Sequence, residues 1–254
     1  MDDIDMISEI SGSYLQKWMA LKNFKNLSML GLKEATSTLF YQQLEAAQQL
    51  GHNPIYEKFI DQTLYREKID PLEAAKRVSS RLINEAQYTV ESSILILSHT
   101  LLDTTLLELC RFSTVYHPER WDEDINEKTV KFEAVQSSDI HQIRQQILCK
   151  KIEELERKSL IEKADVLYKR CKPEANFCST IHNEYVYDRD KLKMYDEQRH
   201  DIVHGRFNPT QQIKDFDNLL LFVEQTGMHF IIMICEYYNT KISSSKAFEC
   251  MTIT

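Results

Sequence analysis

The polar and apolar positions of this chain repeat at helical spacing over most of its length. After Asp70-Pro71-Leu72-Glu73, apolar residues recur at Val78, Leu82, Ala86, Val90, Ile94, Leu97, Leu101, Leu106, Leu109 and Phe112. That is close to the 3.6-residue period of a helix with one buried face. Asp70 can accept hydrogen bonds from the first free backbone amides, Pro71 suits the first helical position, and Glu73 stands where a capping box closes. The pattern predicts one helix from 70 to about 115, ending before His117-Pro118. Its second half is apolar nearly all round, as expected for the central helix of a bundle.

The rest of the chain is read by its interruptions. Gly31 and Gly51-His52-Asn53-Pro54 punctuate residues 1–69 and predict several shorter helices there, an N-terminal extension of a helical core. Residues 117–137 are the best loop candidate, with Trp121, Asp122, Glu123 and Asp124 exposed or partly so. A charge-rich helix is expected over 138–171, begun by Ser138 and stopped by Pro173, and residues 174–188, with Tyr185 and Tyr187, connect it onward. Another helix spans about 190–204. Asn208-Pro209-Thr210-Gln211 repeats the capping logic and starts a last long helix reaching about 239. From Ser243 the tail is expected to fray. The units so defined are an extension (1–69), a helical bundle (70–240) and a tail (241–254).

Composition fixes the fold class. Only 5 Gly and 5 Pro occur in 254 residues, whereas sheets with tight hairpins consume glycine. The expected fold is all-α, a bundle of long antiparallel helices. A hydrophobic content of 43% can fill its core. Cys110, Cys149, Cys171, Cys178, Cys235 and Cys250 are scattered without a CxxC pair, and Met1-Asp2-Asp3-Ile4-Asp5 lacks the positive start of a signal peptide. Both facts predict a reduced, cytoplasmic setting.

Two apolar runs invite a membrane reading. Residues 94–109 contain His99, Asp103 and Glu108, and residues 219–238 are interrupted by Glu224-Gln225-Thr226-Gly227 and by His229. A span needs about 20 residues with few or no charges. Both runs are expected to be buried helices, and no membrane partner is expected. The net charge of −8 argues against binding nucleic acid by bulk electrostatics, less so against an enzyme that meets its substrate transiently.

The chemistry concentrates in Tyr195-Asp196-Glu197-Gln198-Arg199-His200-Asp201-Ile202-Val203-His204-Gly205-Arg206. Arg199 is a permanent cation whose forked donors can clamp a phosphate. Five residues on, His204 is a side chain suited to passing a proton near neutral pH. Together they are a minimal kit for breaking a phosphodiester without metal. Spacing alone decides little, since such a pair should occur roughly once by chance in a chain of this length and composition. Arg111 and His117 form a second match, but Arg111 is followed by Phe112 and His117 runs into Pro118. Around the first match His200 supplies a polar residue after the arginine, while Gly205 and Asn208-Pro209 supply a helix break.

In that context the segment resembles the Arg-x(4–6)-His signature of the HEPN superfamily, all-helical domains of which many are metal-independent ribonucleases. The resemblance covers residues 70–240 and rests on one short motif and the architecture. It implies that Arg199 and His204 are catalytic, that RNA is the substrate, and that no cofactor or metal takes part. Residues five apart lie about 140° round a helix, so either the long arginine sweeps round to His204 or the two groups meet across a symmetric dimer; the resemblance implies the second, a homodimer with both copies of the pair in one cleft. A toxin or phage-defence effector held by an antitoxin or regulatory protein is the role it suggests.

Supporting roles are expected for His200, one turn before His204, and for Asp201 and Tyr195. Asp103, four residues after His99 on the most buried helix, needs a partner, and Arg199 is an attractive one. The plain alternatives are an ion pair of Arg199 with Asp196, Glu197 or an acidic residue on another helix, a helix-capping His204, and His99 with Asp103 as a satisfied polar pair inside the core. His200 and His204 also have two-ligand zinc spacing, but no third ligand is apparent. The leading alternative function is a non-catalytic helical module that binds a partner protein or nucleotide.

Overall fold

The computed structural model describes residues 2–50, 53–60, 63–123, 139–171, 178–181, 185–206 and 213–252. Two long helices form its spine. α1 is Asp3–Gln49 and α2 is Pro71–Tyr116. Between them β1 (Ile55–Ile60) pairs antiparallel with β2 (Thr63–Lys68), Ile55 opposite Lys68 and Ile60 opposite Thr63. Met6 of α1 lies beside Thr114 and Val115, whereas Leu21 and Phe24 lie beside Leu97 and Leu101, so the two helices run antiparallel. The fold is all-α, with strands confined to two short hairpins among the described residues.

α2 begins as its sequence predicts. Asp70 accepts from the amides of Leu72 and Glu73 at 2.9 and 3.0 Å, with Pro71 in the first turn. The Glu73 carboxylate, expected to close a capping box, instead accepts from Arg77 Nε at 2.6 Å, one turn on. Around α2 pack a short 3-10 turn (Pro118–Trp121), α3 (Ile140–Glu156), α4 (Leu160–Cys171), α5 (Arg189–Val203) and α6 (Phe216–Tyr238). The core joins Leu95, Leu106 and Phe112 of α2 to Leu167 of α4 and to Val223, Phe230 and Ile234 of α6. By length and composition α2 and α6 could each cross a membrane, but their most apolar windows are 50% and 61% buried within the fold.

Several expectations are corrected. Residues 3–49 are one helix, not several. Gly31 sits within it facing open space and Gly12 lies inside it too, so isolated glycines did not outweigh their helix-forming neighbours. The first half of α1 packs on α6. Tyr14 donates to the Val223 carbonyl at 2.5 Å and Trp18 to the Leu220 carbonyl at 3.0 Å. Gly227 makes room for this, since a methyl group built there would lie 2.1 Å from the Tyr14 ring. The glycine that interrupts the apolar run of α6 is therefore a contact point.

The segment expected as one helix over 138–171 breaks at 157–159. Ser159 and Glu162 form a capping box, Ser159 N to Glu162 Oε2 at 2.9 Å and Glu162 N to Ser159 Oγ at 3.2 Å. The Ser159 amide, the Lys158 ammonium and the Ser159 hydroxyl, all bonded to the Glu162 carboxylate, hold it down at about 2. Trp121, expected at least partly exposed, is wholly buried. Its indole donates to Ser113 Oγ at 2.9 Å, and the Arg170 guanidinium lies 5.1 Å from its ring centre. The supposed connector holds a hairpin, β3 (Cys178–Ile181) with β4 (Tyr185–Asp188). α6 starts only at Phe216; Asn208-Pro209 and Ser138 lie outside the described residues. Through Thr252 the tail does not fray. α7 (Ser244–Thr252) packs on α1, with the Ser243 amide bonded to Ser8 Oγ at 2.8 Å and Lys246 paired with Asp5.

Candidate functional site

α5 carries the Arg199–His204 segment and is clamped at several points. Asp188 caps its start through the Lys191 amide at 3.0 Å. Arg189 forks onto Asp165 of α4 at 2.9 and 2.8 Å. Lys191 meets Asp215 at 2.5 Å, and the Gln198 side-chain oxygen accepts from the Lys214 amide at 2.7 Å. Leu192, Tyr195 and Gln198 form its buried face. Tyr195 donates to the Asp215 carbonyl at 2.8 Å and packs on Phe222, so its hydroxyl anchors the helix to the chain before α6. Burial pushes its phenol well above the usual range.

The helix stops as Gly205 predicts. Gly205 has φ 65° and donates to the Ile202 carbonyl at 3.1 Å, while Arg206 donates to the Asp201 carbonyl at 2.8 Å. These two bonds make a Schellman motif with His204 as the last half-helical residue. A methyl group at Gly205 would meet nothing within 4 Å, so glycine is needed for its backbone angle alone. His204 and His200 are exposed, their rings 4.2 Å apart at 53°. Asp201 is half-buried on the same last turn.

Arg199 is half-buried and forms no ion pair within 4.0 Å among the described residues. Glu197, its proposed plain partner, instead faces Lys193 at 3.9 Å. Asp196 receives a hydrogen bond from His99 of α2, Nε2 to Oδ1 at 2.7 Å. That bond holds the Asp196 carboxyl below the usual aspartate range, and the charges of Arg199 and His200 add to the effect.

Asp103 does not reach Arg199. Its carboxylate is taken at 2.6 Å by Lys163, a lysine buried to 1% exposure in α4. An unpaired ammonium there would be costly, which explains the pairing. His99 likewise pairs across to α5 and not along α2 with Asp103. Neither partner was legible in the sequence, although Asp196 lies three residues before Arg199 and four before His200, on adjoining turns. The second motif match is tied up in other contacts. Arg111 holds Glu108 and Glu156 at 2.5 Å each, and the His117 ring lies 4.0 Å from Tyr238.

Among the described residues no three His, Cys, Asp or Glu side chains are grouped to hold a metal ion. Cys110 and Cys171 are buried, Cys235 is partly so and Cys149 is exposed. No protein-family model matches the chain, and no curated protein or solved structure matches it significantly.

Proposed function

We propose that this protein is a metal-independent endoribonuclease of HEPN type. The observation that carries the reading is one helix end. The last turn there carries a guanidinium without an ion-pair partner among the described residues, Arg199, and two exposed imidazoles in contact with each other, His200 and His204. Arg111 and Arg189, by contrast, are tied to carboxylates.

In the proposed reaction a ribose 2′-oxygen attacks the adjacent phosphorus and the bond from phosphorus to the 5′-oxygen breaks. One imidazole takes the 2′-hydroxyl proton and a proton is returned to the leaving 5′-oxygen, His204 serving in one of these steps. Arg199 stabilises the charge gathering on the phosphorane-like transition state. The products are a 2′,3′-cyclic phosphate and a 5′-hydroxyl. DNA lacks the internal nucleophile, so the substrate is RNA.

Arg199 and His204 leave the helix about 140° apart. A homodimer with its two-fold axis at α5 supplies both groups to one cleft, and we place dimerisation within the proposal. A toxin or phage-defence role under control of an antitoxin or regulatory protein is its biological extension.

The test is cleavage of bulk RNA in EDTA by the wild type, Arg199→Ala and His204→Ala. Chelator-resistant cleavage is expected from the wild type, with each variant reduced at least about 100-fold. A specific observation favours a second reading, a helical interaction module. Phe24, Leu27, Leu30 and Leu97 are 42%, 69%, 53% and 47% exposed on the α1–α2 pair, beside a groove of about 420 Å³. Equal behaviour of all three proteins on RNA favours that module.

A further inference from the structure

The contact between His99 and Asp196 has a feature that packing alone does not require. Only 13% of the His99 side chain and 25% of the Asp196 side chain are exposed. Behind the pair the space between Leu95, Leu160, Leu192 and Phe222 closes to about 10 Å³, room for no more than one water. One carboxylate oxygen is taken by His99, and among the described residues no hydrogen bond reaches the other. Asp196 shares its helix flank with residues three and four further on. Those are Arg199 and His200, the cationic and imidazole groups of the proposed site.

We propose that His99 and Asp196 are positioning residues for that site: the imidazole fixes the carboxylate, and the carboxylate restrains Arg199 and His200 in the arrangement that receives the scissile phosphate. This rests on the ribonuclease reading. Arginine is a long, freely rotating side chain, and an anion fixed one turn away narrows the directions its guanidinium samples before substrate arrives. Asp196 lies beyond ion-pair distance of Arg199, so it orients the guanidinium without neutralising it by direct contact. His200 lies against His204, so the same restraint extends to the proposed proton-transfer group. Neither His99 nor Asp196 touches the reacting atoms.

The test measures kcat and KM on RNA in EDTA for proteins whose near-UV circular dichroism matches the wild type. Asp196→Asn keeps an acceptor for His99 and removes only the charge; kcat should fall about 10- to 100-fold, with KM changed less than about threefold. His99→Leu should fall similarly. His99→Gln, which keeps a donor toward Asp196, should recover most of the loss. A merely structural tether would lower thermal stability in these variants and leave kcat of the folded protein unchanged. If folded Asp196→Asn retains wild-type kcat while Arg199→Ala abolishes cleavage, the positioning role is overturned and the ribonuclease reading stands. If the wild type itself cuts no RNA, both fall. Should His99→Leu not fold, Asp196→Asn and His99→Gln decide the matter.

Discussion

At the scale of single residues, the left-handed turn at Gly205 determines where the last imidazole is presented. With open space around it, Gly205→Ala should cost about 1–2 kcal/mol through backbone conformation alone. Chemical denaturation should read this as a lower midpoint with an unchanged slope. A larger loss would mean that the space is filled in solution. The His99–Asp196 contact gives a second residue-scale expectation. Because the bond lowers the Asp196 carboxyl in the folded state, its contribution to stability is fully present above about pH 4, the unfolded aspartate range. It is lost as pH falls through the lowered value. The stability gap between wild type and Asp196→Asn should therefore be largest near neutrality and close in acid. A gap that is constant with pH would show that the carboxylate charge contributes nothing.

At the scale of elements, α6 depends on one small residue. Gly227→Ala drives a methyl group into the Tyr14 ring, which is buried to 1% exposure and bonded to the Val223 carbonyl. Overpacking of this kind costs about 1–3 kcal/mol, and thermal unfolding should show it as a fall of several degrees. An unchanged transition would mean that α1 does not bind α6 through Tyr14. The contrast between α2 and α1 says what was legible in the sequence. The start of α2 was readable because Asp70 and Pro71 act on their own backbone, and its end because His117-Pro118 is local. Gly205 was readable for the same reason. The length of α1 was not, because Gly31 is a breaker whose weak cost is overcome by neighbours on either side. Trp121 looked like a loop residue because its burial depends on the chain folding back onto Ser113 of α2 and on Arg170 of α4. The break between α3 and α4 could have been found, since Ser159-Leu160-Ile161-Glu162 is itself a capping signature. In the candidate site, the residues of one helix were visible, whereas the partners across helices, His99 to Asp196 and Lys163 to Asp103, depend on tertiary packing.

At the scale of the whole molecule, a chain of net charge −8 is poorly suited to holding RNA by long-range attraction, so the proposed enzyme must gain its grip within a cleft. Two copies of α5 facing each other would supply two guanidinia and four imidazoles there. Sedimentation should then give a dimer, and mixing Arg199→Ala with His204→Ala chains should restore cleavage above either alone. A monomer that cleaves would remove the two-fold cleft from the proposal. The most direct measurement of the central claim is end-group analysis of the RNA fragments made by the wild type in EDTA. The proposed chemistry yields 2′,3′-cyclic phosphate and 5′-hydroxyl ends, absent with Arg199→Ala; 5′-phosphate ends, or no fragments at all, would contradict it.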